Sequence, residues 1–432
     1  MTRDTMSERP RNDRRAAFAH AGVEIRRTML MVDYTVPEPD RDAGSRCLFE
    51  LIRSLQMQGW AVKFWPDNLR HDPVYTVKLE QIGVEAFYRP RVSAFDDWLA
   101  INRDGLDAVF LCRPTVAIDY LASLQRLAPT LPLIFFGVDL HSARMRMQSR
   151  LTNDQALLRD AAEMEAIERK IWREVDVAVY LSEEEAAQVR ALDPSVRALS
   201  IVPYCFDDFQ PLRPPPNSRS IVFVAGFSHP PNVDGAMWLV DDIMPLVRRA
   251  IPDARLRIVG SNPTVAVRSL ATPSVEVMGY VAADELARLY SEARLAVVPL
   301  RFGAGVKLKV VEALHEGVPL VTTAVGAQGL PGLGGAAVVS DSAEAIAAAI
   351  IALMRDDAKW LEQSQRQLRY AETHFTRGAS VASIAATVDE AFANVERRTA
   401  ETAAQPRRAA LSRVRGVFRS FLQRLSPGAR RF

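Results

Sequence analysis

Short apolar runs alternate along this chain with stretches in which apolar positions recur every three or four residues. In the first half the runs fall at 28–33, 61–65, 84–88, 108–112, 133–138 and 177–181. In the second they fall at 221–225, 256–259, 275–278, 295–299, 318–323 and 336–339. Runs this short suit buried strands, and the periodic stretches between them suit amphipathic helices. A strand-helix alternation repeated in two sets predicts an α/β fold of two Rossmann-like domains, with parallel sheets facing across a cleft. Residues 203–218 hold Pro211, Pro214, Pro215 and Pro216, too many prolines for a helix, and read as a stiff linker. The expected organisation is an N-terminal extension at 1–27, a first domain at 28–202, the linker, and a second domain at 219–377. A closing helix at 378–405 and a basic amphipathic tail at 406–432 follow.

Composition narrows the class. Apolar residues make up 48% and charged residues 25% of 432, which excludes a disordered or collagen-like chain. The net charge of +2 gives no reason to expect nucleic acid as partner. It hides an asymmetry, because residues 407–432 carry eight Arg and no acid, leaving −6 (2 − 8) on the rest. Cys47, Cys112 and Cys205 lie far apart and are odd in number, which points to a reducing, cytoplasmic setting. The first 27 residues mix Arg with Asp and Glu and lack the apolar core of a secretory signal.

In such folds ligands bind beyond the carboxyl ends of the strands, where helix N-termini present free N–H groups. After the first strand, the loop from Pro37 to Arg46 contains Gly44 at a helix start, where bare backbone suits a phosphate or sugar; a simple turn is the alternative. The strongest segment, Pro299 to Pro319, reads strand, glycine loop, helix, strand. Gly303 and Gly305 free its backbone, and Arg301, Lys307 and Lys309 supply charge for a diphosphate. Glu312, three residues after Lys309, suits ribose hydroxyls; an ordinary surface ion pair with Lys309 is the alternative. Thr322 to Leu330 adds a second turn with Gly326 and Gly329. In the first domain, Phe135 to Arg144 ends a strand and opens a helix, with Asp139 and His141 at the junction. Asp139 as a helix cap and His141 as a plain helix residue form the alternative there.

These segments resemble the retaining family 4 glycosyltransferases of GT-B fold over most of 28–395. The fairly specific part is Lys307-x4-Glu312-Ala313-Leu314-x2-Gly317-x-Pro319-Leu320-Val321. The resemblance implies that Glu312 binds the donor ribose and that Tyr280 and Val281 form the turn whose backbone meets the nucleobase. It also implies that Asp139 or His141 contacts the transferred sugar, and that the segment Pro39 to Arg46 is the family's first loop. Gly59-Trp60-Ala61-Val62 resembles the family's entry to strand two. Two departures stand out. Ala304 occupies the place of the glutamate that holds the donor sugar, and the first C-terminal loop, Gly226 to Asp234, lacks the usual Arg and Lys. His229 and Asn232 are the polar candidates in that loop, and Lys307 and Lys309 replace the lost cations. A similar combination belongs to a bacterial branch associated with surface-polysaccharide assembly.

The expected activity is transfer of a hexose-type sugar, with retention, from a nucleoside diphosphate to a glycan or lipid-linked acceptor. No cofactor beyond the donor substrate and no metal is expected, since no Asp-x-Asp or His/Cys cluster falls at these loops. The donor phosphate itself is expected to take the acceptor's proton. A catalytically silent nucleotide-sugar scaffold and an epimerase of the same fold are the rival readings. Leu411, Val414, Phe418, Phe421, Leu422 and Leu425 fall on one stripe flanked by Arg413, Arg415, Arg419 and Arg424. Such a stripe suits peripheral contact with an anionic membrane surface, or docking on the protein itself.

Overall fold

A computed structural model describes residues 24–211, 214–215 and 217–424, with backbone alone from 401 onward. The apolar stripe beginning at Leu411, and the first 23 residues of the N-terminal extension, lie outside the described side chains. Thirteen strands form two wholly parallel sheets among these residues. The first contains β1 (Arg27–Asp33), β2 (Trp60–Pro66), β3 (Glu85–Ala86), β4 (Ala108–Cys112), β5 (Leu133–Val138), β6 (Val177–Tyr180) and β7 (Ala198–Ser200). The second contains β8 (Ser220–Val224), β9 (Arg255–Val259), β10 (Val275–Gly279), β11 (Leu295–Val298), β12 (Leu320–Thr322) and β13 (Val338–Val339).

The strand orders are β3-β2-β1-β4-β5-β6-β7 and β10-β9-β8-β11-β12-β13. Both reverse direction between their first and fourth strands, so each sheet has a switch point where the flanking loops part. The sequence pattern anticipates six strands in the first sheet. The seventh, β7, has three residues, too few to register as an apolar run, and is held by pairing with β6 from Ala178↔Ala198 to Tyr180↔Ser200.

Alternation along the strands divides the interior. Met29 and Met31 of β1 join one apolar cluster while Leu30 and Val32 join another on the opposite face, and all four are fully buried. Helices cover both faces. Those that position the site are α1 (Ala43–Met57), α2 (Pro114–Leu127), α3 (His141–Thr152), α4 (Gln155–Glu174), α5 (Glu183–Leu192), α6 (Pro230–Trp238), α7 (Leu308–His315), α8 (Asp357–His374) and α9 (Arg377–Arg424). In α1 the Asp42 side chain accepts from Ser45 N, and Leu48, Leu51, Ile52 and Leu55 are buried at helical spacing.

The chain ends by crossing back to its first domain. Ser54 Oγ and Ser380 Oγ lie 3.3 Å apart, and Asn394 Nδ2 donates to Asp176 O at 2.7 Å. The sequence pattern separates a closing helix from a tail helix at Pro406. The structure instead runs α9 without interruption to Arg424, Pro406 included. The alanine-rich flanks favour helix on both sides of the proline. Among the described residues no helix is long and apolar enough to cross a membrane.

Candidate active site

The loops that follow the strands at both switch points converge between the domains. On the first wall, β5 ends in Val138, whose φ is 67°, and the turn delivers Asp139 and His141 to the start of α3. Asp139 lies 3.1 Å from His141 Nε2 and accepts from Arg144 Nε at 2.9 Å. It caps no helix: Leu140 holds the N-cap position, with no side-chain cap bond. Burial works to raise the Asp139 pKa, but His141 and Arg144 outweigh it and hold the carboxylate below its ordinary value. Burial lowers His141, with Asp139 opposing.

Two further carboxylates meet the first turn of α3. Leu140 N donates to Glu185 Oε1 at 3.2 Å, and His141 N donates to Glu168 Oε1 at 2.8 Å. A helix N-terminus favours negative charge, yet burial pushes Glu168 up to about 7 and Glu185 up to about 8. Glu185 is held in place by Ser182, whose hydroxyl donates to its Oε2 at 3.0 Å.

The second wall comes from the loops after β8 and β11. His229 is the N-cap residue of α6, and Asn232 one turn later is buried, its Nδ2 donating to Gly226 O at 2.6 Å. Asn232 Oδ1 accepts from Lys309 Nζ, which joins α6 to the first turn of α7. Lys307, the N-cap residue of α7, donates to Gly305 O and to Gln328 Oε1, the latter at 3.1 Å. Burial lowers both lysines, Lys307 to about 8 against the pull of Glu185 and Asp139, and Lys309 to about 7 with Lys307 adding repulsion. His229 is lowered by desolvation and by Arg144, Lys309 and Lys307, so residues of both domains share one field.

The walls touch at the glycines. Gly305 has φ 71°, and a Cβ there would stand 3.3 Å from Asp139 Cβ and 3.6 Å from Glu185 Oε1. A Cβ on Gly329 would stand 2.6 Å from Ser182 Cβ, and its N–H donates to Glu184 Oε2 at 3.1 Å. Gly305 thus makes room for the opposite domain, whereas Gly303 (φ 151°) stays beside Lys307 of its own loop.

The other sequence candidates are distributed around this cluster. Glu312 is partly buried on α7, its side chain makes no hydrogen bond or ion pair among the described residues, and it is pushed up to about 7 by burial, with Arg46 opposing. The Lys309–Glu312 surface pair does not form; Lys309 turns to Asn232 instead. Arg301, expected to offer charge to a diphosphate, is held in a two-pronged pair with Asp234 and is exposed beside Trp238. Tyr280 is exposed and its hydroxyl donates to Asp40 Oδ2 at 2.7 Å, while Val281 packs against the core. Gly44 lies under a residue the sequence reading missed: a Cβ there would stand 2.9 Å from Arg113 Nη2. Arg113, Arg144, Glu185 and Arg41 all escaped that reading. The available signal for Arg113 is its place directly after β4, one residue before the proline that starts α2.

Comparison with known proteins bears on the fold and on the second domain. Residues 218–356, the bulk of the second domain, match the family model Glycosyl transferases group 1. A stretch of 117 residues is 26% identical to a Klebsiella pneumoniae protein described as an uncharacterized 44.6 kDa protein in the cps region. It covers 26% of this chain and 30% of that protein, less than a third of its length. The sucrose-phosphate synthase of Thermosynechococcus elongatus superposes with a TM-score of 0.63 at 17% identity, over 85% of this chain and 100% of that one. Anabaena Alr3699/HepE, solved in complex with UDP and glucose, gives 0.62 at 15% identity, over 84% of this chain and 100% of that one. The chain has the two-domain GT-B fold of glycosyltransferases, and the segment matching the glycosyltransferase family model is its C-terminal domain.

Proposed function

We propose that the protein is a glycosyltransferase that moves a sugar, with retention, from a nucleoside-diphosphate sugar to a glycan or lipid-linked acceptor in cell-surface polysaccharide synthesis. The observation that carries this reading is the meeting of Asp139, His141 and Arg144 with His229, Asn232, Lys307 and Lys309 across the domain boundary. The matched C-terminal domain, the UDP-bound structural neighbour and the relative from a cps region support it.

In this reading the C-terminal wall holds the nucleotide. Glu312 accepts from the ribose hydroxyls, the turn at Tyr280 and Val281 meets the base, and Lys307 and Lys309 face the diphosphate. Negative charge grows on the diphosphate as the glycosidic bond breaks, so buried cations aimed there stabilise the transition state more than the ground state. Ammonium ions supply that charge without a metal. The N-terminal wall contacts the sugar: Asp139, fixed by His141 and Arg144, is ionised and rigid, fit to accept sugar hydroxyls. No side chain is needed as nucleophile, since the donor phosphate takes the acceptor's proton. The basic tail holds the enzyme against an anionic membrane face, beside its acceptor.

A panel of nucleoside-diphosphate sugars screened by thermal shift, followed by transfer to a glycan or lipid-linked acceptor fraction, tests the reading. Binding with no transfer to any fraction favours the silent scaffold, and release of a free sugar without acceptor favours the epimerase.

A further inference from the structure

Arg113 follows β4 and so flanks the switch point of the first sheet, on the cleft side of Asp33 at the end of β1. Its φ is 63°, a left-handed conformation that a non-glycine side chain adopts only when its surroundings impose it. The side chain is four-fifths buried. Nε donates to Asp33 Oδ1 at 2.9 Å, and the guanidinium stands 4.8 Å from the ring centroid of Tyr34. Nη1 and Nη2, by contrast, donate to no acceptor among the described residues. The nearby acid, Asp42, makes no hydrogen bond to them: its oxygens accept from Ser45, at 2.9 Å from its N and 2.6 Å from its hydroxyl, and its charge acts on the guanidinium only through space.

Gly44 is what lets this fork reach the crevice. A methyl there would stand 2.9 Å from Nη2 and 3.6 Å from Nη1, so any other residue displaces the guanidinium. Arg113 also adds to the positive field that disfavours a charged His141. A planar fork, oriented by a carboxylate behind it and an aromatic face beside it, with both terminal nitrogens open, fits two oxygens of one oxyanion.

We propose that Arg113 is an oxyanion-binding residue of the N-terminal wall, taking a phosphate-class group from the side opposite Lys307 and Lys309. The inference rests on reading the cleft as a nucleotide-sugar site. The group is either the donor's diphosphate or a phosphate on the acceptor, and the two sources separate by experiment.

Inorganic pyrophosphate is titrated calorimetrically into the full chain and into Arg113→Gln, Arg113→Lys and Gly44→Ala, with thermal unfolding of each free protein as the fold control. Gly44→Ala leaves Arg113 and Asp33 in the sequence and crowds the fork at Nη2. Inorganic phosphate is then titrated into each protein saturated with pyrophosphate. A loss of tenfold or more in pyrophosphate affinity in all three folded variants supports the proposal with the donor diphosphate as source. Unchanged pyrophosphate affinity, with phosphate binding to the saturated protein present in wild type and lost in the variants, supports it with the acceptor as source. Variants that match wild type in both titrations overturn it while leaving the glycosyltransferase reading intact. A wild-type protein that binds neither probe overturns both.

Discussion

The guanidinium of Arg41 lies 3.7 Å from the ring centroid of Tyr280, and the Tyr280 hydroxyl donates to the neighbouring Asp40 at 2.7 Å. One aromatic of the C-terminal domain is therefore held by two adjacent residues of the N-terminal domain. Ser261 adds a bond to the Arg41 carbonyl at 3.2 Å, and Tyr75 accepts from Arg41 Nε at 3.1 Å. This latch closes over the turn assigned to the nucleobase. An exposed cation–π contact contributes about 0.5–1 kcal/mol, enough to shift a balance between open and closed domains several-fold. Arg41→Ala is expected to raise the radius of gyration of the free protein in X-ray scattering. An unchanged value means the contact does not hold the domains together.

Glu312→Gln replaces an ionised acceptor with a neutral amide. Hydrogen bonds to charged groups contribute about 1.5–3 kcal/mol, so nucleoside-diphosphate affinity is expected to fall tenfold or more. With Glu312 pushed up to about 7, affinity climbs as pH rises toward that value, because the carboxylate form does the binding. The variant loses this climb. Nucleotide titrations from pH 5.5 to 8 check both, and a wild-type profile flat in this range contradicts the ribose role.

Lys309 is brought down to about 7 and Lys307 to about 8, mainly by burial. A diphosphate binds the ammonium forms and raises both values, so binding takes up protons above pH 7. The lysines' contribution to affinity is full below their pKa in the free protein and declines as pH rises through it toward the raised value. Calorimetry in buffers of different ionisation heat is expected to register net uptake at pH 8. Lys309→Ala is expected to reduce that uptake and to lower turnover at saturating donor. Uptake and turnover equal to wild type in both Lys307→Ala and Lys309→Ala place neither lysine on the diphosphate.

The folded-state pKa of Glu185 is raised to about 8, chiefly by burial. Its contribution to stability is therefore complete below its unfolded pKa and is lost as pH climbs through the folded value. Glu185→Gln, which keeps an oxygen for Leu140 N, is expected to unfold at a higher temperature than wild type at pH 9 and to lose that advantage at pH 5. The reverse order at pH 9 means the ionised carboxylate stabilises the domain contact.

Much of this site is legible in the sequence because strand ends are. The apolar runs locate the carboxyl ends of β5, β8 and β11, and Asp139, His141, His229, Lys307 and Lys309 lie in the loops and helix starts that follow them. What is not legible depends on which strands are neighbours. Arg113 meets Asp33 across 80 positions because β4 pairs with β1. Glu185 reaches Leu140 across 45 because β6 pairs with β5. Gly305 looks like an anion cradle in sequence, and only the closed domains reveal that Asp139 and Glu185 fill the space beside it. Arg301 reads as free charge until Asp234, on a helix that begins in another loop, claims its fork.

The basic tail is expected to bind anionic vesicles. Each Arg near such a surface contributes about 1 kcal/mol, and the apolar stripe adds insertion. Sedimentation with anionic liposomes is expected to pellet the full chain and to leave a chain ending at Gln405 in solution. Equal behaviour of the two sinks the membrane role.

The proposed division of labour gives the nucleotide to the C-terminal wall and the sugar to Asp139 and His141. Its most direct test measures, on Asp139→Ala and His141→Ala, both the affinity for the bare nucleoside diphosphate and the rate of sugar transfer to acceptor. At least one variant is expected to lose transfer by a hundredfold or more while its nucleotide affinity stays within about threefold of wild type. Loss of nucleotide binding in both variants with the fold intact, or full transfer in both, contradicts the account.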